Sequence, residues 1–173
     1  MSGEWSLRLA RPEDAHSMPD IERAAGSLFD TVPGLAGIAG QETVPIEQLL
    51  RYIRKGHCLV THVGGEMAGF LVNEPFGREL HIREFDVHPH FQRRGIGAGL
   101  VRACQVDARN SGFAALTLTT FRDVPWNGPF YARMGFVEVD DTAAHPRLAG
   151  ELAAEALHGL PPERRCAMIC FLD

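Results

Sequence analysis

The 173-residue sequence predicts an α/β fold: a mixed, mostly antiparallel, twisted sheet flanked by helices. Three observations carry that prediction. Segments with period-2 apolar alternation recur along the chain and are interspersed with segments of helical period. In the first half, two strand-like segments are separated by Gly64-Gly65 alone, a hairpin signal that makes neighbouring strands antiparallel. In the second half, strands and helices alternate, as parallel pairing requires, so the sheet should be mixed.

The elements follow in order. WSLRLAR (5–11) alternates and reads as a strand. Pro12-Glu13-Asp14 resembles a helix start with Asp14 as N-cap, and the segment to Phe29 is partly helical with Pro19 interrupting it. Residues 31–45, rich in Gly and Pro, read as loop. Residues 46–56 form an amphipathic helix closed by Gly56. Strands are expected at 57–63, 66–75 and 79–87, the last two joined by a turn at Phe76-Gly77-Arg78. A glycine-rich loop, FQRRGIGAGL (91–100), leads into a helix over 99–112, with Leu100, Ala103, Cys104 and Ala108 near one face and Gly112 as its stop. A strand at 114–120, a short helix at 127–134 and a strand at 136–139 come next. A helix over 145–160 and a strand at 164–172 complete the chain. Residues 140–162 read as an insertion, since they separate the last two strands by more than a hairpin loop.

Length and a hydrophobic content of 45% fit a single domain over residues 1–173 with its own core. The net charge of −5, from 17 Lys+Arg and 22 Asp+Glu, argues against a nucleic-acid partner and leaves room for a cationic small substrate. No apolar run reaches membrane-spanning or signal-peptide length, so no membrane partner is expected and the expected compartment is the cytoplasm. Of Cys58, Cys104, Cys166 and Cys170, the last two fall in a strand-like run without Cys-x-x-Cys spacing or nearby histidines, so buried reduced thiols are favoured over zinc. No metal site is expected, and the scattered histidines, His57 and His62 among them, read as ordinary sheet residues.

The glycine loop sits between a strand and a helix, where unpaired N–H groups and the positive end of the helix dipole favour an anion. Gly95 and Gly97 let the backbone approach a ligand, and Arg93 and Arg94 add charge, so a phosphate or pyrophosphate is the natural guest. A P-loop would need a lysine that is absent, and the spacing Gly95-Ile-Gly97-Ala-Gly99 does not match a dinucleotide fingerprint. Glycines for a tight turn with solvated arginines is the alternative.

In strand 79–87, alternation puts Leu80, Ile82, Glu84 and Asp86 on one face and His81, Arg83, Phe85 and Val87 on the other. Two carboxylates on one face repel, which raises at least one pKa and suits a general base for a substrate ammonium. Pairing with arginines at a sheet surface is the alternative, and His88 is a further candidate base. In the helix over 127–134, Asn127 and Tyr131 are i,i+4 and share a face, while Phe130 and Met134 pack inward. Asn127 as a plain N-cap and Tyr131 as a core aromatic are the structural alternatives.

Gln92-Arg93-Arg94-Gly95-Ile96-Gly97, preceded by FDVHP and followed by an amphipathic helix, resembles the acyl-CoA-binding signature of the GNAT N-acetyltransferase superfamily. NGPFYARMGF (127–136) is similar to that superfamily's Asn…Phe-Tyr…Gly-Phe segment, and the element order from Ser6 to Val139 is the same. The resemblance implies an acetyl-CoA-dependent transfer to a primary amine, from a small molecule or a peptide, by direct attack in a ternary complex. It implies that loop residues Gln92, Arg93, Arg94, Gly95, Ile96, Gly97 and Ala98 hold the CoA pyrophosphate. Phe85, Val87, Asn127 and Phe130 would complete the acetyl-CoA contacts, with a backbone amide near Val87 as oxyanion donor. Glu84 would be the base, with Asp86 second, and Tyr131 would protonate the departing thiolate. A non-catalytic acyl-CoA sensor is the alternative function, a nucleotide-binding protein a third, and a homodimer is left open. Residues 12–56 and 140–162 would shape the acceptor pocket.

Overall fold

The computed structural model describes residues 4–38 and 42–173, so residues 39–41 of the expected 31–45 loop lie outside the described residues. Two compact units emerge: residues 1–75 with 82–107, and residues 76–81 with 108–173. Parallel and antiparallel strand pairs both occur, so the sheet is mixed, as its sequence predicts.

In the first unit, β1 (Trp5–Leu9) pairs antiparallel with β2 (Leu59–Val63), and β2 pairs antiparallel with β3 (Glu66–Phe76). The β2–β3 turn is Gly64-Gly65, with φ of 57° and 84°; two consecutive left-handed residues form the hairpin turn whose twist matches the strands. β4 (Glu79–Val87) follows, and its residues 82–87 belong to this unit. Helices α1 (Met18–Gly26) and α2 (Ile46–Arg54) bring Met18, Ile21, Leu49, Tyr52 and Ile53 onto Cys58, Val60, Phe70 and Val72. These strand residues alternate and so share one sheet face. On the opposite face lies α3 (Ile96–Asn110), whose Cys104 Sγ is 3.4 Å from the Asn73 amide nitrogen.

Several local expectations change. Pro19 does not interrupt a helix; it stands in the first turn of α1, where its missing N–H costs nothing. Asp14 is not an N-cap. It lies inside a 3₁₀ turn (Pro12–Ser17), accepts the Arg11 N–H at 2.6 Å and is paired with Arg8 at 2.7 and 2.9 Å. α3 begins at Ile96, three residues before its expected start, because the glycine loop itself winds into the first turn. His57 is not in a strand. It follows the helix-terminating Gly56 at φ 71° and binds Asp107 at 2.7 Å.

In the second unit, Glu79–His81 of β4 pair in parallel with β5 (Ala115–Phe121). β5 pairs antiparallel with β7 (Arg165–Phe171), and the two-residue β6 (Val137–Glu138) pairs antiparallel with β7. Helix α4 (Gly128–Arg133) precedes β6, and α5 (Pro146–Leu157) occupies the inserted segment. All four cysteines are buried thiols. Among the described residues, no helix is long and apolar enough to cross a membrane.

Candidate active site

The loop after β4 passes through positive φ at two residues, of which only Arg93 is disfavoured there. Arg93 has φ 64° and Gly95 φ 80°, so the chain turns through the left-handed region twice before α3 starts. The Gly99 N–H bonds to the Gly95 carbonyl at 2.9 Å, which makes Gly95 the cap residue. The N–H groups of Gly95, Ile96, Gly97 and Ala98 therefore have no partner within the helix, and they stand at the positive end of its dipole. Gln92, Arg93, Arg94 and Gly95 are exposed, whereas the Ile96 side chain is buried, so Ile96 offers a ligand only its main chain. The Arg94 guanidinium rests 5.4 Å from the Phe91 ring centroid, and the Gln92 amide reaches the Val87 carbonyl at 3.4 Å.

The glycines have different reasons. A Cβ on Gly95 would meet nothing within 4 Å, so its φ alone asks for glycine. A Cβ on Gly99 would come within 2.3 Å of the Trp5 ring; here glycine lets α3 close onto β1. Two amide and imidazole candidates near Val87 are already engaged. The His88 N–H donates to the Ala68 carbonyl at 2.8 Å, so that amide is not a free oxyanion donor. His88 Nδ1 accepts the His90 N–H at 3.1 Å, which makes it a local turn cap rather than a base.

Just upstream on β4, Glu84 and Asp86 are brought together and hydrogen-bonded to one another. Two acid side chains in a hydrogen bond share a proton. Burial drives the Asp86 carboxyl above the usual range; the bond from Glu84 acts against this, and the charge of Glu22 adds to it. Its Oδ2 is out of contact with solvent and has no hydrogen-bond partner. Glu22, on α1, completes an acid cluster. Burial, then the charge of Glu84, pushes its carboxyl up to about 8, despite an N–H from Val44 at 3.0 Å. Sequence reasoning missed Glu22. The signal is present, because Glu22 stands four residues after the buried Met18 and so shares its face.

In the second unit, Asn127 caps α4 by position, but its side chain does not make the cap bond; its Oδ1 accepts from the Thr120 hydroxyl at 2.8 Å. Tyr131 is buried, in edge contact with Phe130 (5.3 Å between centroids) and Phe136 (5.6 Å). Phe130 and Met134 are half-buried rather than fully inward.

An arginine-bearing loop in the left-handed region leads into a helix directly after a strand that carries two hydrogen-bonded acids. Residues 54–138, from the end of α2 to β6, match the family model described as the acetyltransferase (GNAT) domain, so this segment carries the GNAT domain. Solved structures share the fold. The PaiA N-acetyltransferase of Thermoplasma acidophilum, in complex with coenzyme A, superposes with TM-score 0.73 at 14% identity, over 97% of this chain and 99% of its own. The ribosomal-protein-S18-alanine N-acetyltransferase of Escherichia coli gives 0.68 at 14%, over 98% and 95%. A GNAT family acetyltransferase of Brucella melitensis, in complex with acetyl-CoA, gives 0.56 at 20%, over 78% and 84%.

Proposed function

We propose that the chain is an acetyl-CoA-dependent N-acetyltransferase acting on a primary amine. The observation that carries this reading is the loop of residues 92–98, where free helix N–H groups, Arg93 and Arg94 converge at an exposed turn. Such a turn fits the pyrophosphate of CoA, and the CoA complexes of the similar structures agree with it.

In the reaction, Glu84, with Asp86 sharing its proton, takes a proton from the acceptor ammonium. The freed amine attacks the thioester carbonyl. The C–N bond forms, and the C–S bond breaks with its electron pair on sulfur. Tyr131 gives that sulfur a proton. No covalent enzyme intermediate is required.

The test is calorimetric titration of CoA into the wild type and Gly95→Val. A β-branched residue at φ 80° costs on the order of 1–3 kcal/mol and reshapes the loop. CoA affinity is expected to fall at least about tenfold while far-ultraviolet circular dichroism stays unchanged. Equal affinity in the folded variant would remove the loop from the reading.

A further inference from the structure

Helix α3 begins with the amides of the loop 95–98 and is tied to its sheet by polar contacts near the other end. Asp107 stands roughly 16 Å along the axis from Ile96, at ~1.5 Å per residue. Its Oδ2 lies 2.7 Å from Nδ1 of His57. The His57 carbonyl accepts from the Asn73 side-chain amide at 2.6 Å. The same amide nitrogen lies 3.4 Å from Cys104 Sγ, back on α3 and on the turn next to Asp107. The circuit thus leaves α3, crosses His57 and β3, and returns to α3. Two of its features oppose folding. Asn73 is fully buried, and its Oδ1 has no hydrogen-bond partner. His57 takes φ 71° directly after Gly56 at φ 85°, a conformation that suits glycine better than histidine. An apolar residue at 73 and a glycine at 57 would remove both penalties. They would also remove direction. Apolar contact lets a helix slide or turn on a sheet, whereas a short hydrogen-bonded circuit holds one register.

We infer that His57 and Asp107 form a positioning clamp that sets where α3 presents the amides of residues 95–98, and so sets the affinity for the CoA pyrophosphate. This rests on the acetyltransferase reading and deepens it: neither residue belongs to the reacting groups, and both act through α3. A helix is stiff because its turns are hydrogen-bonded, so a shift or rotation at Asp107 is carried to Ile96. Amide donors weaken steeply with misalignment, so a displacement of about 1 Å at the loop is felt as lost affinity. At the loop end, Gly99 already closes against the Trp5 ring. That contact limits approach to β1, and the clamp limits sliding and rotation. The His57–Asp107 pair is partly exposed, so by itself it contributes little to stability. Its removal therefore shows in the position of α3 rather than in unfolding.

The experiment is calorimetric titration of CoA into the wild type, His57→Gly, Asp107→Ala, Asp107→Asn and the double variant His57→Gly/Asp107→Ala, with urea unfolding of each. In His57→Gly, relief at φ 71° offsets the added chain entropy, so stability is expected to stay near that of the wild type. CoA affinity is expected to fall about fivefold or more in the same protein. Asp107→Ala is expected to match that loss. Asp107→Asn keeps an acceptor for the ring and is expected to stay within about twofold of the wild type. The double variant is expected to lose no more than either single one, because the two residues act as a unit. Wild-type affinity in the folded His57→Gly protein overturns the inference, and so do losses that add in the double variant. Amide exchange at Gly99, whose N–H closes the first turn on Gly95 at 2.9 Å, reads the clamp without CoA. It is expected to quicken in His57→Gly, and an unchanged rate overturns the inference. A wild type that binds no CoA would instead strike the acetyltransferase reading, and the exchange rate would still decide the clamp.

Discussion

The two ends of β4 place glutamates in opposite electrostatic surroundings. At its start, in the second unit, Glu79 accepts from Arg147 at 2.7 Å and contacts His145 Nε2 at 2.9 Å. Burial would push Glu79 up, but hydrogen bonds from Arg147 and His145 outweigh it and hold the carboxyl below its usual range. The network is closed: Arg147 also donates to the Thr117 hydroxyl at 2.8 Å, lies 3.1 Å from His81 Nδ1 and stacks 4.5 Å over Phe76. Because arginine only donates, His81 Nδ1 faces it as the acceptor. Its role is to pin the inserted helix α5 to its own unit. At the other end of the strand, Glu84 and Asp86 meet Glu22, and burial there is reinforced by acids. A strand can carry both because each side chain's environment is set by what packs on it. A carboxylate held by arginine and histidine stays ionised and serves structure; a carboxyl buried among other acids holds its proton more tightly and is poised for proton transfer.

The largest expected effects come from the acid-crowded end and from the proposed general acid Tyr131. Glu84→Gln should lower kcat/KM by about 10²–10⁴-fold with little loss of urea stability, since the glutamine amide can still donate to Asp86. A stability loss with normal turnover would move Glu84 into the structural class. Tyr131→Phe should slow single turnover by about 10²-fold at unchanged CoA affinity. A normal rate with a lowered melting temperature would leave Tyr131 as part of the Phe130–Phe136 packing. The compensated end should respond in the opposite sense. Arg147→Ala strands Glu79 and Thr117, and should cost about 2–3 kcal/mol in urea unfolding, below the ~3–5 kcal/mol of a fully buried pair. A loss under about 0.5 kcal/mol would make the network an ordinary surface pair.

The smallest expected effect is on pH dependence, where the two ends have opposite signs. Glu79 has a lowered folded pKa, so its contribution is present above the ordinary carboxylate range and is lost as pH falls through the folded value. Glu22 has a raised one, so the folded protein holds a proton that the unfolded chain releases. Its stability is therefore full below the ordinary carboxylate value and declines as pH rises toward about 8. Glu22→Gln should leave the melting temperature at pH 5 near that of the wild type and raise it by a few degrees at pH 9. An equal shift at both values would mean that charge is not the cause.

What the sequence determined by itself is whatever repeats locally. Alternation over 79–87 set the strand and the shared face of Glu84 and Asp86. Gly64-Gly65 set the hairpin, since two left-handed residues are readable from two letters. The glycine loop before a helix, together with NGPFYARMGF, pointed to the family that residues 54–138 then matched. The tertiary structure alone decided the rest. It drew Glu22 to β4 from a distant helix, closed Glu79 with an arginine from the inserted segment, and gave Gly99 its reason in the Trp5 ring. It also spent the His88 amide on Ala68. Periodicity reports which face a side chain takes, and it carries no information about which residue arrives on that face. A pKa, an unpartnered oxygen or a forbidden Cβ depends on that arrival, because electrostatics and packing act through space rather than along the chain.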